Sequence, residues 1–139
     1  MDIKLEKSRL EDVLIVSHQV FEDTRGFFME VFHQGLFEEL GLPSNFVQLN
    51  HSRSSKGVLR GLHFQWNPPM GKLMRVIVGK AFLVAVDIRK KSPTLGEWFG
   101  IELSRPEFQL WVPPGMAHGF YALSHLFLDI FWVFFEWVR

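Results

Sequence analysis

Two stretches of the chain, GVLRGLHFQ at residues 57–65 and VPPGMAHGF at residues 112–120, decide the fold. In the first, a glycine stands six positions before His63, and in the second a Pro-x-Gly-x-x-His motif ends at His118. Both histidines lie in short, β-prone sequence bounded by glycine and proline, which is typical of small barrels and sandwiches. The sequence therefore predicts a small β-barrel or sandwich whose strands carry both histidines.

Most of the remaining chain also has strand character. Residues 72–89, 96–103 and 108–115 are rich in β-branched and aromatic side chains and are separated by glycine, proline and serine. A helix is predicted only at residues 33–41, where apolar side chains recur at three-to-four spacing before a Gly-Leu-Pro stop. We therefore expect an all-β sandwich or barrel with one short helix, forming a single domain over residues 1–139.

The composition excludes several classes of protein. Fifteen basic and fifteen acidic residues give no net charge, so no broad positive field exists to hold nucleic acid. The chain has no cysteine and therefore no disulfide framework. Its first residues lack the apolar core of a signal peptide. A cytoplasmic protein without a nucleic-acid or membrane partner is expected.

Several longer motifs carry a resemblance to a known family. They are FEDTRGFFMEVF at 21–32, FVQLNHSRSSKGVLRGLHFQ at 46–65, VDIRKKSPT at 86–94 and PPGMAHGF at 113–120. With them, the chain from about residue 13 to residue 124 resembles the dTDP-4-dehydrorhamnose 3,5-epimerases, which are RmlC-type cupins of deoxysugar biosynthesis. The resemblance implies an RmlC-like cupin fold, an all-β jelly-roll barrel with one short helix. It also implies epimerisation of dTDP-4-dehydro-6-deoxy-D-glucose at C3 and C5, giving dTDP-4-dehydro-L-rhamnose, without metal or redox cofactor.

The resemblance also implies roles for individual residues. His63 is the expected catalytic base, since histidine is the side chain that exchanges protons most readily near neutral pH. Lys72 and Arg60 could hold either the enolate or the diphosphate, because both carry positive charge. Phe27 or Phe28 could offer an aromatic face to the thymine. The full set of implied substrate contacts is Arg25, Glu30, Gln48, Asn50, Arg60, Lys72 and His118.

The positions expected to bind metal carry the wrong side chains. Metal-binding cupins have a second histidine two positions after the first and a glutamate several residues later. In this chain Gln65 fills the former position and Lys72 lies near the latter. Glutamine is a poor ligand for most transition metals and an ammonium group repels a cation, so no metal site is expected.

A structural reading competes with the functional one for several residues. A lone histidine on a strand is more often a hydrogen-bonded core residue than a ligand, and His118 could be either. We expect a surface or structural role for the remaining histidines, and a turn-stabilising role for Asp87 at a strand end. The remaining histidines are His18, His33, His51 and His125.

The C-terminal tail, residues 125–139, departs from the family. The family supplies its general acid from a tyrosine about thirteen residues after the second histidine, which would be Phe131, and orients its base with an aspartate further on. The only tyrosine is Tyr121. The tail is too short and too interrupted by charge for a membrane span. It could be a buried strand, but its aromatic-rich, motif-free sequence favours a shifted reading frame.

These departures leave the activity open. Alternatives to 3,5-epimerisation are a 3-epimerase or a ketoisomerase of a related dTDP sugar, or a catalytically impaired cupin that only binds a nucleotide sugar. A homodimer is expected, because a small barrel with this many apolar residues has strand edges to cover.

Overall fold

A computed structural model of the protein describes residues 2–134 and shows twelve strands and one short helix. The helix is α1 (Gln34–Glu39). The strands are β1 (Ile3–Lys7), β2 (Leu14–His18), β3 (Val20–Asp23), β4 (Gly26–Met29), β5 (Gln48–Ser54), β6 (Leu59–His63), β7 (Met70–Val78), β8 (Ala81–Asp87), β9 (Trp98–Leu103), β10 (Phe108–Val112), β11 (Met116–Ala122) and β12 (Leu126–Phe134).

Two antiparallel sheets pack face to face. One has six strands in the order β1-β2-β10-β7-β12-β5, and the other has four in the order β6-β11-β8-β9. The interior between them is filled by buried aliphatic residues from both sheets, including Met74, Leu83 and Leu110. The all-β fold with one short helix is therefore confirmed.

The helix covers the outer face of the six-stranded sheet. The ring of His33 caps its first turn by accepting a hydrogen bond from the amide of Leu36 at 3.1 Å. Gly41 ends it with a φ of 76°, which favours glycine. Phe37, fully buried, packs with Leu73 and Trp111 on the outer face. The helix is thus held by a second, smaller core outside the barrel.

The tail contributes an interior strand. β12 lies between β7 and β5, pairing Trp132 with Lys72 on one side and with Gln48 on the other. Of the three interpretations of the tail, the buried strand is therefore the one that residues 126–134 adopt. Residues 135–139 lie outside the described part of the chain, and the shifted reading frame stays a prediction. No helix in the described part is long and apolar enough to cross a bilayer.

Asp87 has the turn-stabilising role predicted for it. Its buried carboxylate accepts hydrogen bonds from the Arg89 guanidinium at 3.0 Å, from Ser92 Oγ at 2.5 Å and from Thr94 Oγ1 at 2.6 Å. The Arg89 hydrogen bonds, followed by those from the two hydroxyl groups, hold the pKa of Asp87 well below its usual range, although burial opposes them. The carboxylate therefore fixes the long turn between β8 and β9.

Candidate active site

The two motif histidines meet because two glycines let their strands approach. Gly61 on β6 faces Gly119 on β11, and a Cβ on either would come within 2.8 Å of the backbone of the other strand. Gly61 also has a φ of 108°, a conformation that other residues rarely adopt. The approach pairs His63 with His118, and their rings lie 5.8 Å apart.

A cavity of about 340 Å³ lies beside these histidines, between the two sheets. One wall comes from the four-stranded sheet and the loop that follows β6: Arg60, His63, Phe64, Gln65, His118 and Phe120. The opposite wall comes from the six-stranded sheet: Asn50, Ser52, Met70, Ile130 and Trp132. A flat ligand between the walls would present one face to His63 and the other to β12.

His118 is both a cavity residue and a hydrogen-bond partner. Its Nδ1 lies 3.0 Å from the carbonyl oxygen of His63. Because a carbonyl oxygen only accepts, this nitrogen carries the proton, and Nε2 of the neutral ring is an acceptor. Burial, followed by the charges of Lys72 and His63, lowers the pKa of His118 to about 3. His118 is therefore neutral at pH 7 and positions the backbone at His63.

Lys72 is a buried cation for which residues 2–134 provide no counterion. It points into the barrel from β7, its side chain is fully enclosed, and its Nζ has no hydrogen-bond partner among those residues. Burial alone lowers the pKa of Lys72 to about 8. The charge lies close enough to His118 to affect that ring. An ammonium held this way favours any negative charge that develops nearby.

Arg60 is held at the cavity by its neighbours. Its Nε donates to Ser54 Oγ at 2.9 Å and one Nη donates to the carbonyl oxygen of Arg53 at 3.2 Å. A guanidinium has five N–H groups, so others remain for an anionic ligand. On the opposite wall, Gln48 donates to Asn50 Oδ1 at 3.0 Å, which places both amides on the inner face of β5.

Four residues with an implied substrate contact lie apart from the cavity. Arg25 and Phe27 are on the hairpin of β3 and β4, where Arg25 pairs with Asp23 and both are exposed. Phe28 is equally exposed on the same hairpin. Glu30 follows it and interacts with His18 instead. The single chain thus assembles His63, His118, Arg60, Asn50 and Lys72, with Gln48 beside them, but not the hairpin residues.

The remaining histidines have structural surroundings, apart from exposed His125, whose ring contacts Phe127. His18 Nε2 lies 2.9 Å from Gln109 Oε1 in a buried pair. His51 Nδ1 lies 2.5 Å from Asp129 Oδ1 on the outer face of the six-stranded sheet. Within residues 2–134, no three histidine or acidic side chains come together as a metal site would require.

Residue 131, which the count from His118 reached, does not line the cavity. Successive residues of a strand point to opposite faces, and on β12 Leu128 and Ile130 face the interior. Phe131 therefore points outward and packs against Phe46 in the outer core. The side chain that reaches the cavity is Trp132, which sequence reasoning missed because counting from His118 does not reveal which face of β12 is buried.

Tyr121 does not replace the missing acid. It alternates with His118 and Phe120 on β11, is 41% exposed, and points away from the interior. Nor does any acidic side chain within residues 2–134 hydrogen-bond to the ring of His63. The site thus has the imidazole of His63 at the cavity but lacks an orienting carboxylate among the described residues.

Comparison with known proteins agrees with this arrangement. A sequence profile of the dTDP-4-dehydrorhamnose 3,5-epimerase family matches residues 7–130. The match is longer at both ends than the range of about 13 to 124 that the motifs suggested. An epimerase of that name from Shigella flexneri is 58% identical over 121 residues, covering 85% of this chain and 67% of the relative. This chain thus spans about two thirds of that relative's length.

Solved structures are also similar. The dTDP-4-dehydrorhamnose 3,5-epimerase of Sulfolobus tokodaii matches with a TM-score of 0.91 and 41% identity, over 99% of this chain and 78% of that one. The RmlC epimerase of Legionella pneumophila, solved in complex with dTDP-4-keto-L-rhamnose, matches with a TM-score of 0.88 and 43% identity. That match covers 99% of this chain and 74% of the Legionella chain. This chain, an RmlC-like cupin in fold, therefore belongs to the dTDP-4-dehydrorhamnose 3,5-epimerase family.

Proposed function

We propose that this chain binds dTDP-4-dehydro-6-deoxy-D-glucose in the cavity between its sheets and that His63 removes a proton beside the sugar ketone. The observation that carries the proposal is the convergence of His63, Arg60 and His118 on one cavity, with Lys72 buried behind it. Membership of the epimerase family supports the choice of substrate.

The chemistry follows from the acidity of the substrate. A proton beside a ketone is weakly acidic, so its removal needs a base and a positive charge where the enolate oxygen forms. His63 is exposed at the cavity and can act as the base. Lys72 supplies enclosed positive charge, and Arg60 is free to bind the diphosphate. No step needs a metal or redox cofactor, and a cytoplasmic location suits a nucleotide-sugar substrate.

We further infer that a second copy of the chain completes the site. The hairpin of β3 and β4 pairs only with itself among the described strands and exposes three phenylalanines, Phe21, Phe27 and Phe28. A lone two-stranded hairpin is only marginally stable in water, so a partner surface would stabilise it. A partner's cavity would also give Arg25 a ligand to contact. Sedimentation equilibrium giving a monomer at micromolar concentration would contradict the homodimer.

The test of function is solvent exchange. The chain is incubated with the keto sugar nucleotide in D₂O, and deuterium at C3 and C5 is followed by NMR while dTDP binding is measured by calorimetry. We expect binding and His63-dependent exchange. A 3-epimerase would exchange C3 alone, and a ketoisomerase would move the carbonyl group. Binding without exchange would leave only a nucleotide-sugar-binding cupin.

A further inference from the structure

Trp132 occupies the wall of the cavity that faces His63. It lies on the six-stranded sheet, whereas His63 and His118 lie on the other. Its neighbours across the strands are Lys72 on β7 and Gln48 on β5. A sugar ring held between the walls would therefore have His63 on one face and the indole on the other.

Inverting a carbon centre needs proton transfer on both faces. The base removes the proton from one face, and a second group must deliver a proton to the other. The wall opposite His63 carries an amide, a hydroxyl, a thioether, an aliphatic side chain and an indole, from Asn50, Ser52, Met70, Ile130 and Trp132. An indole N–H donates hydrogen bonds but does not ionise near neutral pH. None of these five side chains is a general acid.

We propose that Trp132 restricts this chain to proton exchange on the His63 face of the bound keto sugar, and that residue 132 is the position on β12 that controls inversion. The inference rests on the proposed function. It assigns the chain an activity, hydrogen exchange with retained configuration, and makes the buried face of β12 responsible for it.

The exchange step is balanced without any added reagent. The C–H bond beside the ketone breaks, its proton passes to the imidazole of His63, and the electron pair moves to the ketone oxygen as an enolate. His63 is exposed, so the imidazolium trades that proton for a solvent deuteron. The deuteron returns to the same carbon from the same face and the ketone re-forms. Nothing is oxidised or reduced and no group leaves.

The experiment compares tyrosines placed at adjacent positions on β12. Trp132→Tyr puts a phenol in the cavity, whereas Phe131→Tyr puts one on the outer face and serves as the matched control. Trp132→Phe makes room without adding an acid. Each variant is checked by circular dichroism and dTDP calorimetry, then assayed in D₂O for exchange and for inverted product.

We expect the wild type to exchange hydrogen with little inversion. Trp132→Tyr should raise inverted product about 100-fold or more, the range of general acid catalysis. Phe131→Tyr should stay at the wild-type level, and Trp132→Phe should give no gain in inverted product. Equal gains at both positions would overturn the proposal. A Trp132→Tyr variant that folds, binds dTDP and exchanges hydrogen but forms no inverted product would also overturn the proposal. A wild type that inverts as fast as it exchanges would overturn it too, and would point to Lys72 as the acid. A wild type that neither binds nor exchanges would overturn the proposed function itself.

Discussion

Replacing Lys72 with methionine should stabilise the protein while abolishing proton exchange. Lys72 is fully enclosed, its Nζ has no partner within residues 2–134, and burial lowers its pKa from 10.5 to about 8. At ~1.4 kcal/mol for each tenfold change in proton affinity, that fall corresponds to about 3 kcal/mol of lost stability at pH 7. Methionine has a similar length and adapts to irregular packing, so Lys72→Met should recover roughly 1–3 kcal/mol.

The pH dependence gives the prediction a second readout. Below about pH 8 the ammonium is charged in both the folded and the unfolded state, so the folded state is destabilised by the full free energy of burying that charge. Between about pH 8 and pH 10.5 the unfolded chain keeps a proton that the folded chain has lost. The free energy of unfolding contributed by Lys72 therefore rises with pH across this window. Lys72→Met should lack that rise.

The assay is urea denaturation of both proteins at pH 7 and at several values from pH 8 to pH 10.5. Lys56→Met, at an exposed turn position, is the matched control and should change stability by less than about 0.5 kcal/mol. A Lys72→Met variant less stable than the wild type by more than about 1 kcal/mol would refute the buried-charge argument. Exchange that survives in this variant would remove Lys72 from the proposed site.

Four further predictions follow from the same contacts. His63→Asn should lower exchange by about 100- to 10,000-fold and leave dTDP affinity within a few fold, because the hydrogen bond between His63 and His118 uses the backbone carbonyl oxygen of residue 63, which the substitution keeps. Exchange at the wild-type rate would place the base elsewhere. Asp87→Asn should cost roughly 3 kcal/mol, since the carboxylate of the folded chain is buried among donors. Because the pKa of Asp87 is depressed in the folded chain, its contribution to the free energy of unfolding is present above its unfolded pKa and is lost as the pH falls below about 4. An Asp87→Asn variant whose midpoint of acid unfolding equals that of the wild type would contradict this role. Chelators should leave dTDP binding unchanged, whereas elemental analysis showing one zinc, iron or manganese per chain would contradict the metal-free site inferred from Gln65 and Lys72. Finally, a coupled reductase assay should detect L-sugar formation far below 1 s⁻¹, the low end of ordinary enzymes, and faster turnover would mean that another residue supplies the acid.

The local pattern of the chain determined most of the fold. Strands 70–78, 81–87 and 98–103 lie where β-branched and aromatic runs predicted them, and the helix at 34–39 falls within the predicted 33–41. Such elements can be predicted from the sequence because the periodicity of apolar residues and the residues that end each element lie within the segment itself. The pairing of His63 with His118 was also predictable, because glycines beside both motifs allow close strand contact.

What the sequence could not decide is which face of β12 is buried and where the hairpin lies. A shift of one residue in a strand exchanges its two faces, so a count along the chain reached Phe131 whereas the register against β7 places Trp132 in the cavity. Arg25 belongs to motifs that imply a substrate contact. Among the described strands, however, β3 and β4 pair only with each other and hold Arg25 away from the cavity. The motifs thus predicted the histidine that is proposed as the base, because the residues of each motif are local in sequence. The opposite wall was decided by tertiary structure, because strands distant in the chain must pair before their side chains acquire a direction.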